Sequence, residues 1–255
     1  MNKITAVIIA KNAENLIVDC IESISFCDEI IVIDNTSIDR TADVAKKMHA
    51  KVISTDTQSF AEQRNIGLAK AKGKWILYID TDERVTPELA HHIQTISTTP
   101  SDKTFVAYRL IRQNFYFGNH PWPRQEKLER LFEKKYLKEW YGALHESPKV
   151  EGEIGQLDGL LLHYTHRDLT SMLEKTIQWS KIEAELRYNA HHPTMSWWRF
   201  FRVIATGFYD SYILQEGWRA GTVGIIESVY QAFSIFVTYA RLWEMQNRQV
   251  TFSKT

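Results

Sequence analysis

The feature that most restricts the fold is a repeated unit: a short apolar run that stops at a polar cluster, followed by residues at helical spacing. Ile4 to Ala10 is apolar and largely β-branched, as expected of a strand covered on both faces. Leu16, Ile17, Cys20, Ile21 and Ile24 then recur at helical spacing. Ile30 to Ile33 gives a second strand, Ala42, Ala45 and Met48 a second helix, and Val52-Ile53 a short third strand. Ser59-Phe60-Ala61-Glu62 has the pattern of a capping box, opening a helix that ends near Gly73. Trp75 to Ile79 is the next strand, and Thr86-Pro87-Glu88 supplies a cap and a first-turn proline for the helix after it. This alternation predicts an α/β fold with a doubly wound, mostly parallel sheet.

The chain has 255 residues, enough to bury a full core, and is 44% hydrophobic and 24% charged, which excludes disorder. Lys+Arg and Asp+Glu are both 31, so no global charge points to nucleic acid and an anionic ligand needs a local site. Cys20 and Cys27 form no C-x-x-C pair and are expected to be buried thiols of a reducing compartment. Met1-Asn2-Lys3 and the apolar run after it briefly imitate a signal peptide. Lys11, Asn12 and Glu14 follow at once without a cleavage pattern, so a cytoplasmic location is expected.

In a doubly wound sheet, ligands bind beyond the carboxyl ends of the strands. Polar residues stand there: Lys11-Asn12, then Asp34-Asn35-Thr36-Ser37, then Asp80-Thr81-Asp82-Glu83. Neither G-x-G-x-x-G nor G-x-x-x-x-G-K-[ST] occurs at these places, which removes the main support for dinucleotide and P-loop readings. Side chains at i and i+2 of extended backbone point the same way, so Asp80 and Asp82 can face one point, where a cation relieves their repulsion. Oxygen ligands with no cysteine nearby suit Mg²⁺ or Mn²⁺. The competing reading, that these acids cap the next helix, is weakened because Thr86 already occupies the cap. Asp34 fits an Asx-turn with Ser37 or Asp39, and a carboxylate held that way can also accept from a base or ribose. Arg64, on the helix before the acidic strand, is open to two readings: a solvated surface residue or a donor contact.

Together these residues resemble family 2 glycosyltransferases of the GT-A fold. The runs ITAVIIAKNAEN, IDNTSIDRT, AEQRNIGLAKAKGKW and ILYIDTDE match that family's donor half in order and spacing, over about the first hundred residues. The resemblance implies that Asp34 contacts the nucleotide base, Asp80 the ribose or metal, and Asp82 the metal. It also implies that Ala10 and Asn12 line the donor site and that Arg64 helps hold the nucleotide. Arg130-Leu131-Phe132, Gly142-Ala143-Leu144-His145-Glu146 and His163-Tyr164 resemble the subgroup related to lipopolysaccharide-core β-glucosyltransferases. Glu146 stands where the family more often has an aspartate as catalytic base.

The implied activity is an inverting transfer of sugar, from a nucleotide-sugar donor such as a UDP-hexose to a glycan or lipid-linked acceptor in cell-envelope polysaccharide or lipopolysaccharide synthesis. Glu146 is the candidate base, with Asp82 and His163 as metal ligands. His166 shares a helical face with His163 if that segment is helical; a surface position is the alternative. His145 either orients Glu146 or is a polar loop residue, and Arg130 either steadies phosphate or acceptor or forms a surface ion pair. Asn114 to Arg124 reads as a loop over the acceptor side, with Trp122 either stacking on sugar or packing.

The last third is aromatic and apolar. Trp197, Phe201, Ile204, Phe208 and Tyr212 form a helical stripe beside Arg199 and Arg202, and Ala220 to Ala240 carries one charge, Glu227. About 20 apolar residues are needed to span a bilayer, and the polar residues in this stretch argue against simple spanning. Helices lying in a membrane interface are expected, on the inner face of the cytoplasmic membrane; packing on the catalytic domain or in a homo-oligomer is the alternative. The expected organisation is a GT-A domain over 1–190, with a donor half to 100 and an acceptor half from 101, and a helical extension over 191–255. Two rivals compete with this reading. A nucleotide-sugar pyrophosphorylase lacks its expected glycine-rich loop at Lys11-Asn12-Ala13-Glu14, and the other rival is a non-catalytic carbohydrate-binding or scaffold protein.

Overall fold

The computed structural model describes residues 3–98, 104–142 and 146–252. The chain divides into two compact units, Met1–Gln113 with Gln125–His163, and Asn114–Arg124 with Tyr164–Thr255.

The first unit begins with the expected alternation: β1 (Ile4–Ala10), α1 (Ile17–Ser23), β2 (Glu29–Asp34), α2 (Thr41–Lys47), β3 (Lys51–Ser54), α3 (Phe60–Lys70), β4 (Trp75–Asp80), β5 (Glu83–Val85) and α4 (Pro87–Thr98). Further along the chain come β6 (Phe105–Tyr116), β7 (His120–Pro121, in the second unit), β8 (Glu126–Glu133), β9 (Leu137–Tyr141), β10 (Ser147–Val150) and β11 (Glu153–Tyr164). The main sheet runs β3-β2-β1-β4-β8-β6-β11-β5, with β7 paired to β6; β9 and β10 form a separate ribbon. The strands β3, β2, β1 and β4 pair parallel, and β8, β6 and β5 extend the sheet antiparallel.

Alternation along β1 sends side chains to two cores. Ala6 and Ile8 pack with Ile17, Cys20, Ile21 and Ile24 on one face, and Val7 packs with Ala61 and Ala71 of the α3 side on the other. Gly67 allows α3 its close approach: a Cβ there would lie 2.3 Å from a Val7 methyl carbon. The capping box at Ser59 is half formed. Ser59 accepts from the Glu62 N–H, but the Glu62 carboxylate is bound by the Thr57 hydroxyl and does not return to the cap. Thr86 caps α4 as expected and also bonds Leu160 of β11 in both directions.

In the second unit, α5 (Leu169–Asn189), α6 (Trp197–Tyr209) and α7 (Gly221–Phe252) pack together, with Ala184, Met195 and Leu242 at their core. Asn114–Arg124 is the tip of a β-hairpin and not the irregular loop expected: β6 runs to Tyr116 and pairs back with β7. Trp122 is 5% exposed and packs edge-on against Tyr116 at 4.9 Å, so it is a packing residue and has no open face for a sugar.

Candidate active site

The carboxyl ends of β1, β2 and β4 are level: Ile9 lies opposite Asp80 and Ala10 opposite Asp34. Ala10 is buried, and its carbonyl accepts from the Asn35 N–H at 2.8 Å. Asn12 joins two strand-end turns, its N–H donating to Ser37 Oγ and its Oδ1 accepting from the Ile38 N–H, both at 2.9 Å. Asn12 and Thr36 take left-handed φ values of 49° and 47°, a strain these turns hold beside the strand ends. Asp34 forms the expected Asx-turn, with Oδ2 accepting from the Ser37 N–H at 3.2 Å. Its Oδ1 is buried with no hydrogen-bond partner among the described residues, as is Asn35 Oδ1. Unsatisfied buried acceptors are costly, so both fit a ligand that donates N–H or O–H.

Asp80 has both carboxylate oxygens engaged. Oδ1 accepts from Arg64 at 3.1 Å and Oδ2 from Arg130 at 2.6 Å. Burial alone would raise its pKa; Arg130, then Arg64, outweigh this and hold it well below the usual carboxylate range. Arg64 is 2% exposed, so it is no solvated residue. Its guanidinium lies over the Trp140 ring at 4.9 Å and donates from Nε to Glu146 Oε1 at 3.0 Å. Arg130 is buried too, and is not the surface ion pair considered above. It donates to Glu83 Oε1 at 3.2 Å as well as to Asp80.

Glu146 reaches this cluster from the β9–β10 ribbon. Asn65 of α3 clamps β9 by bonding the Trp140 carbonyl at 2.9 Å and the Trp140 N–H at 2.8 Å, and Glu146 immediately precedes β10. His145 and the neighbouring Ala143 and Leu144 lie outside the described residues. Asp82 Oδ2 is 3.4 Å from His163 Nε2, on the strand β11 that pairs with β5. His163 is therefore on a strand, and the helical spacing to His166 does not apply. His166 instead pairs with Glu227 at 3.0 Å.

Two residues carry contacts here that the sequence assigned to neither: Glu83, named only as part of the strand-end cluster, and Arg112. Glu83 is wholly buried: Oε2 accepts from the Asp80 N–H at 2.9 Å, and Oε1 takes both Arg130 and Arg112 at 3.2 Å. Arg112 continues to Glu126. The result is a ladder, Glu146–Arg64–Asp80–Arg130–Glu83–Arg112–Glu126, that fixes the acidic strand end. The one local signal was Glu83, directly after the acidic pair; nothing near Arg112 in sequence marks it.

Among the described residues no group of three or more His, Cys, Asp or Glu side chains could hold a metal alone. Asp82 and His163 offer an O/N pair, which fits Mg²⁺ or Mn²⁺, ions that commonly take their other ligands from water and substrate phosphates.

Residues 5–149 match the model of glycosyl transferase family 2. An uncharacterized glycosyltransferase of Rickettsia prowazekii is 27% identical over 96% of this chain and 88% of its own. The lipopolysaccharide core biosynthesis glycosyltransferase LpsC of Rhizobium meliloti is 25% identical over 94% of this chain and 92% of its own. Among solved structures, the mannosyltransferase PcManGT of Pyrobaculum calidifontis, in complex with GDP-Man and Mn²⁺, has a TM-score of 0.55 at 13% identity. That likeness covers 95% of this chain and 87% of that one, and it is a likeness of GT-A fold. The matched family model covers more than half of the chain, including the carboxyl ends of β1, β2 and β4 but not His163, and the chain belongs to glycosyl transferase family 2.

Proposed function

We propose that this protein is an inverting, metal-dependent hexosyltransferase that uses a nucleotide-sugar donor, UDP-hexose in the first instance, and a lipid-linked glycan acceptor of the cell envelope. The observation that carries this is the joining of Arg64, Asp80, Arg130 and Glu146 at the carboxyl end of β4, with Asp82 and His163 beside them. The LpsC relative supports an acceptor of the lipopolysaccharide-core class, and the Pyrobaculum neighbour supports a nucleotide-sugar donor with Mn²⁺.

In this reading Asp34 Oδ1 accepts from the base or ribose, and Ala10 and Asn12 shape the wall beside it. The acceptor hydroxyl oxygen attacks the anomeric carbon and its proton goes to Glu146, held in place by Arg64. The bond from that carbon to the diphosphate oxygen breaks, and its electron pair leaves with the nucleotide. Asp82 and His163 would hold a divalent cation, whose positive charge would stabilise the departing diphosphate. One displacement inverts the anomeric centre and needs no covalent intermediate. Asp80, both of whose oxygens hold arginines, positions Arg64 and Arg130 at the donor site.

The test is a panel of nucleotide sugars incubated with lipid-linked acceptors and Mn²⁺, with products read by mass spectrometry and the new linkage by NMR. A hexose added with inverted configuration is expected. Retained configuration, or product formed equally well in a chelator, would contradict the proposal.

A further inference from the structure

We propose that the outward faces of α6 and α7 are a docking surface for an anionic lipid bilayer, on which the protein lies without crossing it. The inference goes beyond the transfer reaction and is carried by the second unit alone.

The first observation is α6. Trp197 is 83% and Phe201 73% exposed, and Trp198 and Ile204 are exposed with them, while Val203 and Gly207 face inward. Spacings of three and four put Trp197, Phe201 and Ile204 on one stripe. Tryptophan at such a stripe suits the headgroup level of a bilayer, where an amphipathic ring has both a dry and a wet side. Arg199 and Arg202 lie against the Trp198 ring at 4.8 and 5.7 Å, and neither forms an ion pair with a carboxylate among the described residues. Cations beside interfacial aromatics match an anionic surface.

The second observation is α7. Gly217–Asn247 is long and apolar enough to cross a membrane by length and composition. Its two sides differ, however. Ile225, Ile226, Val229, Phe233 and Phe236 are exposed, whereas Glu227, Ser228, Tyr230 and Thr238 are buried. Glu227, the one charge between Arg219 and Arg241, is turned inward. Its carboxylate meets His166 Nδ1 at 3.0 Å and accepts from Gln231 at 2.6 Å. Tyr230 donates to the Met172 carbonyl of α5, and Ser228 to Ser211. A helix packed on one side through polar contacts and bare on the other suits the plane of an interface rather than a span. The Phe236 ring of this bare side meets Phe200 at 5.8 Å, next to Phe201 of the α6 stripe.

A second copy of the chain is the competing occupant. A twofold contact centred on Arg199 and Arg202 would set these cations against their own copies, which disfavours that arrangement.

Flotation of the full chain with phosphatidylcholine vesicles, with and without phosphatidylglycerol, tests the proposal. These vesicles contain no donor or acceptor, so the outcome is separate from whether transfer occurs. The protein is expected to float with the anionic vesicles, and brominated lipid is expected to quench its tryptophan fluorescence without any variant being needed. W197S/F201S should weaken binding about tenfold or more, since both aromatics would lose their apolar burial. R199Q/R202Q should lose the preference for anionic lipid while keeping the wild-type circular dichroism and UDP affinity. Absence of flotation, equal flotation with both vesicle types, or a dimer in sedimentation that W197S/F201S dissociates would overturn it.

Discussion

In the first unit, charge is buried and large apolar side chains are covered; in the second, the large apolar side chains are the ones left outside. Glu83, Arg64 and Arg130 are among the least exposed residues of the first unit, and among its described residues only Ile38, Phe105 and Tyr141 are exposed large hydrophobics. In the second unit Trp197, Phe201, Trp218, Ile225 and Val229 are all more than half exposed, and the one buried acid of α7 is matched by a single histidine. Burying ions is costly unless each is paired, and Glu83, Arg64 and Arg130 are paired at the carboxyl end of β4, as Glu133 is with Lys74 and Lys135 at its other end. The difference teaches where each unit acts: a fixed polar site in one, an uncovered surface in the other.

The comparison breaks most readily at Glu83. Glu83→Ala removes the wholly buried carboxylate shared by Arg130 and Arg112, leaving them only the partly exposed Asp80 and Glu126, and should destabilise the fold by about 3 kcal/mol, read as a lower urea midpoint. A change within experimental error would mean that the ladder does not hold the strand end.

Acid titration gives a smaller effect with a definite sign. Because Arg130 and Arg64 depress the pKa of Asp80 in the fold, its charge stabilises fully above its unfolded value of about 4. That contribution is lost as pH falls toward the lower folded value. The stability gap between wild type and Asp80→Asn should therefore be constant from pH 7 to about 5 and narrow below about 4. A gap that widens on acidification would reverse the assignment.

Smallest of all should be Phe201→Ser, within about 0.5 kcal/mol of wild type, because an exposed ring contributes little to folding. A loss of several kcal/mol would place that ring in the core of the second unit and remove the contrast between the units.

What the sequence disclosed follows the same division. The strands β1 to β4 were readable because each is a short apolar run with helical spacing beside it, and the family resemblance rested on the same residues. Asp34 and Asp82 could be named as candidates because strand-end acids stand out locally, whereas His163 was a candidate only through the family resemblance. Arg112 did not: its partner Glu83 is brought to it by sheet order, with β5 at the far edge of a path that threads β8, β6 and β11. Arg64 was ambiguous because its burial depends on Trp140 and Glu146, some eighty residues later. The segment around Trp122 was read as a loop because its proline and aromatic content hides the hairpin that β6 and β7 make.

The most direct test of the central claim is calorimetric titration of UDP-hexose, with Mn²⁺ present, into wild type, Asp82→Ala and Glu146→Gln, with transfer measured on the same samples. Asp82→Ala should lose Mn²⁺-dependent donor binding. Glu146→Gln should bind donor as wild type does and transfer about 10²–10⁴-fold more slowly. Mn²⁺-dependent binding that survives in Asp82→Ala, or normal transfer by Glu146→Gln, would contradict the account.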